Sequence, residues 1–242
     1  MALHFLLESS SDAVPGDVVS LIGAEAKHAA VVRRLRVGEA VTVGDGAGVW
    51  LAGSAEDVSP SQVDVRISQR SEQAAPSPRI VLAQALAKGD RDELAVQAAC
   101  ELGVDEIVPW QASRSVSRWE GPKAAKGRER WASIVREAAK QAHRAWVPGV
   151  SAPVSTAQLA DRAATQRMLL LDPTAVLRLS ELTPDDRDIV LVVGPEGGIS
   201  DDELRRLTDA GAERVLLGDT VLRTSTAGPA AIAVLSVALG RW

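Results

Sequence analysis

The sequence predicts an α/β protein in which a small N-terminal β-barrel precedes a mainly parallel sheet covered by helices. Three observations carry this. Within the first 70 residues, five short β-like segments alternate with turn residues and are interrupted by one helical stretch. Ser71-Glu72-Gln73-Ala74-Ala75-Pro76-Ser77-Pro78 then breaks the pattern with two prolines and small polar residues, which disfavour helix. Beyond it, continuous apolar runs alternate with helical periodicity to the C-terminus, as parallel βα units do. The expected domains are residues 1–72 and 79–242, with 73–78 as linker.

Taken in order, the strands expected in the barrel are Leu3–Leu7, Val18–Ile22, Ala40–Val43, Val49–Gly53 and Val63–Ile67, with Gly44-Asp45-Gly46-Ala47-Gly48 as a hairpin loop. The interrupting helix is expected over Ala24–Leu35 and ends in the compact cationic cluster Arg33-Arg34-Leu35-Arg36. After the linker, Arg79–Leu86 reads as a strand. Asp90-Arg91-Asp92-Glu93 has the spacing of a capping box and opens a helix with Leu94, Ala98 and Leu102 on one stripe, stopped by Gly103. Asp105–Trp110 is the next strand. A long helix follows, with Trp131, Ile134, Val135, Ala138 and Ala142 on its apolar face and Arg136, Lys140 and Arg144, four apart, along another. Met168–Leu171 and Ile189–Val193 are apolar strands. Ser200–Ala210 is a helix with a second box, Ser200 and Glu203, and Gly211 as its stop. Arg214–Leu217 is the last strand, and Ala227–Leu239, apolar almost all round, reads as a buried closing helix.

Composition is that of a globular chain of 242 residues, 46% hydrophobic and 24% charged, with a net charge of −5. That acidity argues against a general nucleic-acid binder, but the charge is uneven. Residues 111–150 carry nine Lys and Arg against three acidic residues, with Trp119, Trp131 and Trp146 interleaved. This stretch reads either as a solvated helix face with tryptophans in the core or as a surface that tracks phosphates. A single cysteine, Cys100, excludes an intramolecular disulfide and sits in an Ala-rich helical pattern as a small apolar residue. A reducing cytoplasm fits. The N-terminal residues lack a basic start and are cut short by Glu8, and no apolar run is long enough to span a bilayer, so neither targeting nor membrane anchoring is expected.

Two glycine-marked loops hold the chemical information. Gly194-Pro195-Glu196-Gly197-Gly198 leaves the strand Ile189–Val193 and enters a capped helix, the position at which parallel sheets bind ligands. Alone it reads first as a tight βα connection. No G-x-G-x-x-G or G-x-x-x-x-G-K-[ST] is present, and Glu196 would set a negative charge where a pyrophosphate sits, which argues against a phosphate cradle. Leu217-Gly218 leaves the last strand, and Leu222-Arg223-Thr224 enters the closing helix in the same manner. Together the loops suit a nucleoside-like cofactor held by backbone groups, apolar side chains and one cation, Arg223.

These loops, Gly194–Gly198 and Leu217–Ala227, resemble the signature of the SPOUT (trefoil-knotted) RNA methyltransferases, specifically the family that methylates N3 of a uridine in 16S ribosomal RNA. The resemblance covers most of the chain. Residues 1–70 are similar to that family's PUA-like RNA-binding barrel, with His28 and Arg33-Arg34-Leu35-Arg36 at its basic segment. Lys88, Arg91, Glu93 and Glu101-Leu102-Gly103-Val104 match further pieces, as do Arg114-Ser115, Arg130-Trp131, Glu137-Ala138, Gln141, Arg144 and Val147-Pro148. Three positions depart from the pattern: Ser225 replaces the usual Glu, Ala142-His143 replaces Ser plus a small or polar residue, and Ala2-Leu3 lacks an Arg.

The resemblance implies S-adenosyl-L-methionine as cofactor, no metal, a trefoil knot and a homodimer, with 16S rRNA or the small ribosomal subunit as partner. It implies cofactor contacts from Leu171, Gly194, Pro195, Gly197, Gly198, Leu217, Gly218, Leu222, Thr224 and Ala227. RNA contacts are implied for His28, Arg33, Arg34, Arg36, Lys88, Arg91, Arg114, Arg130 and Arg144. Arg223 is the candidate catalytic residue, either as hydrogen-bond donor to an anionic uracil or as a brace of the knot. Glu196 is either a base or a loop brace, and His143 either a base or a packing residue. Two alternatives remain: a SPOUT enzyme with another RNA site, such as a ribose 2′-O, and a catalytically silent RNA-binding ribosome-assembly factor.

Overall fold

The computed structural model describes residues 2–242 and divides into two compact units, the first comprising residues up to Ala75 together with Ala139–Val147, the second Pro76–Ala138 and Pro148–Trp242. In the first unit β1 (Leu3–Leu6), β2 (Val18–Ile22), β3 (Ala40–Gly44), β4 (Val49–Val58) and β5 (Gln62–Glu72) form one sheet in the order β1-β3-β4-β5-β2. Here β1 and β3 pair in parallel, and β3–β4, β4–β5 and β2–β5 pair antiparallel. The long β4–β5 ribbon shifts register at Ala52/Gly53 and again at Ala55/Asp57, which bends the sheet into its barrel-like curl. At Gly53 the partner strand comes so close that a Cβ would lie 2.1 Å from the Arg66 carbonyl oxygen, so only glycine fits there. The curl encloses Phe5, Leu21, Leu51, Val63, Val65 and Ile67.

The interrupting helix differs from expectation. It runs as α1 (Gly23–Lys27) into one π turn, His28–Val32, and stops there. Leu35 is buried in the barrel core, so the chain must turn inward after Val32, and Arg34 takes φ 55° to do so. Arg33, Arg34 and Arg36 therefore lie exposed on a turn instead of ending a helix.

His4 lies buried in this unit, stacked on Trp50 at 4.2 Å, with Nδ1 3.0 Å from Thr42 Oγ1 and no partner for Nε2. Burial, then the positive fields of His143 and Lys140, lower its pKa to about 4. The unfolded chain takes up this proton near the ordinary histidine value of 6.5 and the folded chain does not, so stability is full above pH 6.5 and falls as pH drops towards 4. The expected loss is up to about 3 kcal/mol. His4→Gln should flatten that slope in urea melts taken between these pH values; an unchanged slope would show that His4 is not its source.

In the second unit β6 (Ile80–Ala85), β7 (Glu106–Trp110), β8 (Gly149–Val150), β9 (Arg167–Leu171), β10 (Ile189–Val193) and β11 (Glu213–Val215) form a sheet of order β11-β9-β10-β6-β7-β8, parallel throughout. Every residue of the central strands β6 and β10 is buried; β10 is apolar throughout, and β6 is apolar but for Gln84. The helices are α2 (Arg91–Glu101), α3 (Pro122–Gln141), α4 (Thr156–Asp161), α5 (Asp201–Asp209) and α6 (Thr224–Ala238).

Four details of the helices differ from the sequence expectation. In α2 the buried face is Ala95, Val96, Ala99 and Cys100, while Leu94 is 52% exposed, because small side chains allow α2 to pack closely on α6. The Asp90 side chain makes no cap; Asp92 is buried in its place and accepts from the N–H groups of Ala87 (3.0 Å) and Glu93 (2.9 Å). Along α3, Lys140 is buried with its Nζ 2.9 Å from Glu25 Oε1, so the cations do not all lie apart from the core. Finally, α6 begins at Thr224 and is not buried all round, since Val237 is 64% exposed. The second capping box forms as expected, with Ser200 and Glu203 bonded reciprocally at the start of α5.

Candidate active site

Three loops at the C-terminal ends of β9, β10 and β11 meet around a cleft of about 600 Å³. The sequence indicated two of them. Leu171, Gly194, Pro195, Gly198, Leu222, Thr224 and Ala227 line the cleft, together with Glu196 and Arg223. Leu217 and Gly218 line a smaller hollow that shares Leu171, Leu222 and Ala227 with it. Gly197 faces elsewhere, packing under Arg114, where a Cβ would sit 3.3 Å from the Arg114 Cβ. The first loop is shaped by tight turns: Gly198 takes φ 72°, and a Cβ on Gly194 would lie 2.7 Å from Ile199 Cγ1.

The third loop, Asp172-Pro173-Thr174, was missed. Asp172 is buried, accepts from the Thr174 N–H and hydroxyl at 2.8 Å each, and pairs with Arg214 Nε at 2.7 Å. Burial works to raise its pKa, but the bonds from Thr174 and the Arg214 charge outweigh it and hold Asp172 below the usual carboxylate range. An apolar strand ending in Leu171-Asp172-Pro173-Thr174 carries the same turn chemistry as the glycine loops and was the available signal.

Glu196 shows the same balance. Burial raises its pKa, while its own N–H, the Lys88 N–H at 3.1 Å and Arg91 Nη1 at 3.1 Å lower it further. A carboxylate so engaged is a poor proton acceptor and a firm anchor for its loop. Arg114 Nη1 donates to the Gly197 carbonyl at 3.1 Å and so straps the loop from outside. Behind it Glu203 accepts from the Ser113 N–H (2.8 Å) and hydroxyl (2.7 Å) and from Thr156 Oγ1 (2.9 Å), joining the segment after β7 to α5 and α4.

Arg223 is the N-cap residue of α6, extended at φ −66° and ψ 152°, and its exposed guanidinium has no partner among the described residues. Of the cations matched to RNA contact, Arg91, Arg114 and Arg130 are engaged internally, Arg130 with Glu93. Lys88 is exposed and Arg144 half-buried just beyond α3. In the first unit Arg33, Arg34 and Arg36 are exposed and unpaired among the described residues, and His28 lies edge-on to Phe5 at 6.2 Å. His143, with φ 53°, packs beside His4 and Trp50.

The cleft combines apolar walls, glycine backbone and two carboxylates held ionised, Asp172 and Glu196. Apolar walls with backbone groups suit a nucleoside-like ligand, while Asp172 and Glu196 are each already paired, with Arg214 and Arg91. Among the described residues no helix is long and apolar enough to cross a membrane.

Comparison with known proteins gives an independent line. Residues 74–236 match the family model described as an RNA methyltransferase domain, and residues 21–68 match an RNA methyltransferase PUA domain. The ribosomal RNA small subunit methyltransferase E of Mycobacterium tuberculosis is 40% identical over 248 residues, covering 100% of this chain and 94% of that one. The Bacillus subtilis protein of the same name is 30% identical, covering 98% of this chain and 96% of that one. Among solved structures, the Neisseria gonorrhoeae ribosomal RNA small subunit methyltransferase E bound to S-adenosyl methionine is similar with a TM-score of 0.88 at 29% identity, covering 98% of each chain. A Legionella pneumophila putative methyltransferase in complex with S-adenosyl methionine gives a TM-score of 0.87 at 32% identity, again over 98% of each chain.

Proposed function

Because this chain belongs to the ribosomal RNA small subunit methyltransferase E family of RNA methyltransferases, we propose that it transfers the methyl group of S-adenosyl-L-methionine to N3 of a uridine in 16S ribosomal RNA. The observation that carries this is the cleft itself, apolar and built on glycine loops, with Arg223, unpaired among the described residues, in its lining. The cofactor, when bound, supplies an electrophilic methyl group on a cationic sulfur. The glycine loops hold it by backbone contacts, and Asp172 and Glu196, paired with Arg214 and Arg91, keep those loops in place.

Transfer needs alignment of the sulfur, the methyl carbon and the acceptor nitrogen, so positioning supplies much of the rate. The neutral uracil imide is a poor nucleophile, and its N3 proton must leave. Arg223 donates to a uracil carbonyl oxygen and stabilises the negative charge that then develops. The bonds from Lys88 and Arg91 favour a bracing role for Glu196 over that of base. The wider proposal includes the trefoil knot, the homodimer, a division at residues 73–78, action in the cytoplasm, and 16S rRNA or the small subunit as partner. Arg33, Arg34 and Arg36 on their exposed turn form its RNA-reading surface.

Mass spectrometry of ribosomal RNA from cells lacking the protein tests the target: loss of 3-methyluridine is expected, and loss of a 2′-O-methyl mark would favour another RNA site. Arg33/Arg34/Arg36→Ala should weaken RNA binding and lower the salt slope by up to about 3 while leaving cofactor binding intact. An unchanged salt slope would remove that surface from the proposal.

A further inference from the structure

Gln84 stands at the C-terminal end of β6, wholly buried, behind the cleft wall. Its Nε2 donates to Thr224 Oγ1 at 2.8 Å and to the Ala85 carbonyl at 3.2 Å, and its Oε1 has no partner. The Ala85 oxygen only accepts, which fixes the amide with its nitrogen towards both neighbours. Thr224 has a single hydroxyl proton. With Gln84 already donating to that oxygen, the proton is left for the Gly194 carbonyl, 2.9 Å away. Among the described residues this is the one hydrogen bond that joins the two glycine loops directly.

We propose that Gln84 and Thr224 form a polarised clasp that fixes the spacing of the two loops and, with it, the position of Arg223. Thr224 thereby acts as the link between Gly194 and the start of α6, and Gln84 is a positioning residue that acts through Thr224. The arrangement has one direction: amide to hydroxyl to carbonyl. Removing Gln84 frees the hydroxyl to rotate away from Gly194. Gln84→Glu is nearly the same shape, but its carboxylate accepts; the Thr224 proton then turns towards it and Gly194 is released. The importance for cofactor rests on the methyltransferase reading, whereas the clasp itself does not.

Calorimetry with S-adenosylhomocysteine as probe should show Thr224→Val binding about 10-fold more weakly. Gln84→Leu and Gln84→Glu should each lose most of that factor, and Thr224→Ser, which keeps the hydroxyl, should recover it. The Gln84→Leu/Thr224→Val pair should bind no more weakly than Thr224→Val alone, since both remove one bond. Amide exchange at Gly197, Gly198 and Ile199 in the ligand-free protein should quicken in every variant except Thr224→Ser, with melting temperatures confirming that each folds. Losses that multiply in the double variant, or exchange unchanged in folded Thr224→Val, would overturn the clasp. Absence of binding by the wild-type protein would instead overturn the cofactor reading, and the exchange measurement would still decide the clasp.

Discussion

Arg223→Ala is expected to lower kcat by roughly 10²–10³-fold while leaving cofactor affinity near that of the wild type, as removal of a donor to a developing anion does elsewhere. The side chain is exposed and unpaired among the described residues, so its loss costs the fold little. Arg223→Lys should recover only part of the rate, because an ammonium keeps the charge but loses the planar fork that grips a carbonyl oxygen. Under the proposed mechanism, raising the pH should help Arg223→Ala more than the wild type, since hydroxide would then remove the N3 proton that Arg223 is proposed to make easier to lose. Single-turnover rates across a pH series measure this directly. A wild-type rate in Arg223→Ala would leave the residue as a structural brace.

The largest stability effect is expected at Trp131. Its ring is fully buried in α3, meets Trp119 edge-on at 4.9 Å, and has an indole N–H without a partner. Trp131→Ala should cost about 3–5 kcal/mol through lost burial and the cavity left behind. For a chain of this size that corresponds to a fall of roughly 10 °C in Tm. Trp131→Phe should cost much less, because it keeps most of the ring and removes the unsatisfied donor. Thermal melts of the two variants separate packing from hydrogen bonding; equal losses would refute the cavity account.

The sequence was most informative where one local rule sufficed. Apolar runs located β6, β7, β9 and β10, since strands buried on both faces tolerate little else, and reciprocal Ser200–Glu203 bonding followed from spacing alone. Periodicity misled where tertiary packing chose a different face. In α2 the close approach of α6 favours alanines over Leu94, and in α3 a remote acid, Glu25, makes Lys140 a buried residue. Neither neighbour is visible from a helical wheel. The glycine loops were legible because glycine marks unusual backbone. Gln84 was not, because its partner Thr224 lies 140 residues away, and of Asp172 only the local turn with Thr174 was legible, not the pairing with Arg214, 42 residues away.

One segment has a bearing on how such a gene can be cut. Residues Ala139–Val147 belong with the barrel although the sheet of the second unit continues on either side of them. The Trp146 indole donates to the Gln73 carbonyl at 2.9 Å and its ring presses on Gly48, while Val147 bonds back to Gly46. Excision between Ala75 and Pro76 would strip the barrel of this nine-residue plug and lay bare the Gly46–Gly48 hairpin beneath it. The barrel unit is therefore not contiguous in sequence: a cut between Ala75 and Pro76 would part it from nine residues that pack within the same unit.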